Sequence, residues 1–109
     1  MEIRVTTHAF KRLKERYGLN KNAAKRMAKK AYNDGIRHGE TSGRLNKFIS
    51  SKTNTYKRKG SQMRIYGEYL WVFIDNNNGT SDLITAFEIP LDLKNSARSS
   101  MAKKKRKRI

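Results

Sequence analysis

The chain has 109 residues, with 26 Lys+Arg against 9 Asp+Glu and no cysteine. That length suits one domain with a modest core, and the lack of cysteine excludes disulfides, a thiolate nucleophile and cysteine-held zinc. A formal net charge of +17 points to a polyanionic partner, RNA or DNA, with an anionic membrane surface the weaker fit.

The N-terminal stretch MEIRVTTHAFKRLKER is too polar for a signal peptide or a membrane span, so a soluble cytoplasmic protein is expected. Glu2–Val5 can add a short edge strand. Thr7 is placed to cap a helix from His8 to Tyr17, with Gly18 as its stop and Ala9, Phe10, Leu13 and Tyr17 on one face. Asn20 or Asn22 can cap a second helix ending near Asn33, before Gly35. Its inner stripe is Ala24, Met27, Ala28, Ala31 and Tyr32, while Lys25, Arg26, Lys29 and Lys30 point outward. A third helix is expected over Gly43–Ser51, followed by a basic loop, Lys52–Ser61.

From Gln62 the pattern becomes β: MRIYG, YLWVFI and DLITAFEIP are rich in β-branched and aromatic residues, with breaks at Gly67-Glu68 and Asn76–Gly79. Alternation sets Tyr69, Trp71 and Phe73 on one face and Leu70, Val72 and Ile74 on the other. The expected fold is an α+β domain over residues 1–93, its N-terminal helices packed on a C-terminal three-stranded antiparallel meander. Residues 94–109 are expected to be a disordered basic tail, because like charges repel.

Charge divides the chain into three zones. Residues 1–64 carry +14, residues 65–93 carry five acids and no Lys or Arg, and residues 94–109 carry +8. This suggests one side that meets phosphate and another that does not. The expected nucleic-acid contacts are Lys11, Lys25, Arg26, Lys29, Lys30, Arg58, Arg64 and Tyr66, together with Lys103, Lys104, Lys105, Arg106, Lys107 and Arg108 of the tail. Contacts of this kind supply affinity more than sequence discrimination.

One local pattern suggests chemistry. His8, Arg12 and Arg16 are spaced by four on the first helix, beside its apolar stripe. An imidazole can move a proton near neutral pH, and guanidiniums can hold a phosphate whose ester is attacked by a 2′-hydroxyl. No metal or other cofactor is required for that reaction. The same spacing is routine on a cationic helix, so a plain surface role stays open. His38, between glycine-flanked turns, is a second proton-transfer candidate or an ordinary loop residue.

THAFKRLKERYG, followed by helices and then RIYGEYLWVF and LITAFEIP, resembles small bacterial and phage domains of the RelE/colicin-D-like ribonuclease superfamily. His8, Ala9, Arg12, Arg16, Thr85 and Phe87 carry the resemblance, which spans about residues 3–91. It implies metal-independent, toxin-like RNA cleavage with His8, Arg12, Arg16 and Thr85 as catalytic residues, and a ribosome or other ribonucleoprotein as a partner. The sequence departs from that pattern in its acidic sheet, where such toxins carry basic residues. A phage protein that binds RNA or DNA without cutting it, or blocks a host machine through its basic face, is the alternative.

Overall fold

Thr6 sets the start of the first helix. In the computed structural model, which describes residues 2–56 and 59–107, its hydroxyl accepts the Ala9 N–H (3.2 Å) and donates to the Leu83 carbonyl (2.9 Å). The cap is therefore one residue earlier than expected, because Thr6 is also the residue tied to the sheet. The helix, α1 (Thr7–Tyr17), stops at Gly18, whose φ of 68° gives the left-handed turn that glycine adopts without strain. The second helix, α2 (Lys21–Asp34), is capped by Asn20, which accepts the Ala23 N–H at 2.8 Å. At its far end only a glycine fits: a Cβ on Gly35 would lie 2.4 Å from the Ala31 carbonyl oxygen and 2.9 Å from the Arg64 Cβ.

The third helix, α3 (Gly43–Thr55), runs into the stretch expected to be a loop. Thr53 and Thr55 do not break it, because their hydroxyls donate to the Ile49 and Ser51 carbonyls one turn back.

The sheet corrects the expected three-stranded meander. It has five strands in the order β1-β5-β4-β3-β2: β1 (Glu2–Val5), β2 (Ile36–Arg37), β3 (Ser61–Tyr66), β4 (Tyr69–Asp75) and β5 (Thr80–Glu88). The last three do form an antiparallel meander, but β1 adds in parallel to β5 and β2 antiparallel to β3. β2 is two residues long, below the length at which a strand periodicity can be read.

Both faces of the sheet are covered. Trp71 and Phe73 of β4 pack with Ile3, Leu83 and the buried alanines of α1 and α2. Leu70 and Val72 face the other way, against Leu45, Ile49, Leu93 and Ala97. The alternation along β4 holds, but both sets are core, as in strands that read as nearly unbroken apolar runs. Ala24, Ala28 and Ala31 are fully buried on α2. Their small side chains let the helix approach the sheet closely enough to cover the large rings of β4.

The second covering layer includes the segment expected to be a disordered tail. Lys94–Lys107 is helix α4, so this too is a correction. Leu93, Ala97 and Met101, four residues apart, pack it onto the α3 side of the sheet. The repulsion among its cations is offset by Glu88, Glu68 and Glu40, which pair with Lys94, Arg98 and Lys104.

Candidate nucleic-acid interface

The five acids of residues 65–93 do not make a separate acidic face, because each is bound to a donor from elsewhere in the chain. Arg4 Nε donates to Asp82 (2.9 Å) and the Tyr32 hydroxyl to Asp75 (3.0 Å). Arg44 pairs with Asp92, and Arg98 with Glu68. Glu88 accepts from Lys94 at 2.8 Å and lies 3.7 Å from Arg16. The bond from Lys94 and its charge hold the Glu88 carboxyl below its ordinary value. Glu40 adds a sixth case: Lys104 donates to it at 2.9 Å and to the Gly35 carbonyl at 2.7 Å. Burial pushes Glu40 up, but the Arg37 N–H and the Lys104 ammonium outweigh it and leave the carboxyl below its ordinary value. Exposed pairs of this kind stabilise little. Their consequence is to fix which cations are occupied.

Among the described residues, Lys21, Lys25, Arg26, Lys29 and Lys30 have no ion-pair partner, and all five are exposed. They form two adjacent rows on α2, Lys21–Lys25–Lys29 and Arg26–Lys30. Like charges one turn apart on a helix destabilise it, a cost that a bound polyanion removes. Lys11 and Lys14 extend the exposed cations onto α1 in the same layer. Lys21, Lys25 and Arg4 border a cleft of about 480 Å³, with Phe10 at its wall and Glu2 also at its rim.

A hydrogen bond links two of the expected catalytic residues: Arg12 Nε donates to His8 Nε2 at 3.2 Å on the exposed side of α1. Arg16 turns to Glu88. Thr85 is 2% exposed, and its hydroxyl has no partner among the described residues. A register shift in the β4–β5 ladder pairs it with Val72. Paired residues share a face, so Thr85 lies on the sheet face of Val72 and Phe87.

A feature not foreseen adjoins Arg12. Its guanidinium lies 5.5 Å from the centre of the Phe87 ring, and the Lys52 ammonium 4.7 Å from the same ring. Lys52 also lies over Phe48 (5.8 Å), and Tyr56 packs against Phe87 (5.6 Å). Phe48 and Lys52 stand four apart, a signal that was available only if α3 extended past Ser51.

Arg64 and Tyr66 are not free surface contacts. Arg64 is 4% exposed, and Tyr66 is half-buried, lining a cleft of about 560 Å³ with Gly67, Glu68 and the α4 residues Ala97 and Met101. Of the tail cations, Lys103 is exposed and Lys104 is held by Glu40. Arg58 and Arg108, and the side chains of Lys105, Arg106 and Lys107, lie outside the described residues. Among the described residues no group of three metal-ligating side chains is assembled, and no helix is long and apolar enough to cross a membrane. The chain matches no family model, no curated protein and no solved structure.

Proposed function

We propose that this protein binds nucleic acid, RNA in preference to DNA, through the outer face of α1 and α2. The observation that carries this reading is the division of the cations. The acids of the sheet region are occupied inside the molecule, while the α2 rows form no ion pair among the described residues. Phosphates are the complementary partner for such rows. The test is the affinity for labelled single-stranded RNA and DNA across salt concentrations. A steep linear fall of log K with log salt is expected; no association at low ionic strength refutes the proposal.

A cleaving activity has narrower support, the exposed His8–Arg12 pair. Arg12 can hold a phosphate oxygen while His8 Nε2, once the substrate replaces its bond from Arg12, takes the proton of a 2′-hydroxyl. The 2′-oxygen bonds to phosphorus, the bond from phosphorus to the 5′-oxygen breaks to leave a cyclic phosphate, and the 5′-oxygen leaves with a proton from water. Arg16 pairs with Glu88, and the Thr85 hydroxyl is buried. Incubation with RNA in chelator distinguishes the readings. Products that vanish in His8→Ala support cleavage, and intact RNA bound to the wild-type protein supports binding alone.

A further inference from the structure

The edge of the sheet opposite β1 carries a second cationic feature, separate from the α1–α2 face. Arg64 of β3 pairs across the ladder with Arg37 of β2. Like charges directly opposite each other in a sheet are destabilising, and here one of the two is buried, which raises the cost. Arg64 is held by neutral acceptors: its Nε donates to the Tyr32 carbonyl (3.0 Å), and its Nη1 to the Met63 carbonyl (2.9 Å) and Gln62 Oε1 (3.2 Å). Its guanidinium also lies 4.8 Å from the Tyr32 ring centre. Among the described residues Nη2 has no acceptor, and neither arginine is in ion-pair range of a carboxylate. The acids whose fields reach Arg64 are Asp75 and Glu40, and these bond to the Tyr32 hydroxyl and to Lys104.

Arg64 and Arg37 open onto one cavity of about 240 Å³, lined also by His38, Thr53, Ser61 and Gln62. It has many times the room that a single water needs. His38 is fixed there by a 3.0 Å hydrogen bond between its Nε2 and the Ser50 hydroxyl. The Ser61 hydroxyl is buried and has no partner among the described residues. Gln62, whose oxygen faces Arg64, keeps its amide N–H groups as donors. Two guanidiniums and an amide around one cavity suit an anion with several acceptor oxygens.

We propose that this cavity binds a phosphate group, with Arg64 and Arg37 as its charge partners and Gln62 as a further donor. The site does not depend on the nucleic-acid reading, since it shares no residue with the α2 rows. It is tested by two-dimensional amide NMR with inorganic phosphate, against chloride at matched ionic strength. Saturable shifts confined to residues 37–39 and 61–64 are expected. Arg37→Ala, which removes an exposed side chain, should weaken them by about tenfold, the loss of one charged hydrogen bond. Gln62→Ala should weaken them less, and Lys25→Ala/Lys29→Ala should leave them unchanged.

Short oligonucleotides with and without a 5′-phosphate identify the source. Shifts only with the phosphorylated strand assign the terminal phosphate of a nucleic acid, and shifts with inorganic phosphate alone assign the free ion. Shifts spread over α2 as strongly as over the cavity, or full affinity in Arg37→Ala, overturn the site.

Discussion

Helices α2 and α4 are both rich in lysine and arginine, yet their cations have opposite fates. On α2 the rows Lys21–Lys25–Lys29 and Arg26–Lys30 face solvent and form no ion pair among the described residues. On α4, Lys94 and Lys104 are only 18% and 16% exposed in their side chains, and with Arg98 they bond to Glu88, Glu68 and Glu40. Charge content alone does not mark a binding surface. What matters is whether acids of the same chain lie within reach, and the acids at the ends of the strands lie under α4.

The largest expected effect separates the two helices directly. Each single-strand phosphate contact changes affinity by about fivefold at 0.1 M salt, from a slope of about 0.7 per contact. Replacing Lys25, Lys29 and Lys30 by alanine should therefore weaken RNA binding on the order of a hundredfold. The matching variant of Lys94, Arg98 and Lys104 should change it only about threefold, through long-range charge alone. Equal losses in the two variants would erase the contrast.

Gly35→Ala probes the junction between α2 and the sheet. The added methyl meets the Ala31 carbonyl at 2.4 Å and cannot be accommodated by a side-chain rotation. A loss of about 2 kcal/mol is expected in denaturant unfolding; an unchanged midpoint would show that the backbone there yields. Lys104→Ala should cost about 1 kcal/mol, as Glu40 and the Gly35 carbonyl lose a donor, while RNA affinity stays nearly constant. Lys103→Ala, its exposed neighbour, is the control and should leave stability unaltered.

Acid should loosen α4 while leaving the charge of α2 intact. Glu40 and Glu88 titrate below their ordinary value of 4.5 in the folded protein. Their contribution to stability is therefore complete above that value and is lost as pH falls through the lowered one. Melting temperature should decline below about pH 4.5, and less in Glu40→Gln, where one of the two titrations is absent. A decline that begins near pH 6 would implicate other groups.

Much of the fold was legible in the residues. The stripe of Ala9 and Leu13, the Asn20 cap, the Gly18 stop and the meander strands each carry a local signal strong enough to read. What was missed depends on distant partners. β2 exists only because Ile36 and Arg37 meet Ile65 and Arg64. The helical tail exists because Leu93, Ala97 and Met101 find a core to cover, a fourfold spacing masked by the cations around it. The candidate surface divides in the same way. The outward lysines of α2 follow from helical periodicity, whereas the burial of Arg64 and Thr85 follows from layers on both faces of the sheet. No count of charge along the chain could show that the five acids of residues 65–93 would be matched to Arg4, Arg16, Tyr32, Arg44, Lys94 and Arg98.

Lysine acetylation read by mass spectrometry, with and without single-stranded RNA, tests this division most directly. In the free protein Lys21, Lys25, Lys29 and Lys30 should react quickly and Lys94 and Lys104 slowly, and RNA should protect the α2 set. Fast reaction at Lys94 and Lys104 in the free protein, or protection by RNA on α4 with α2 left reactive, would contradict the account.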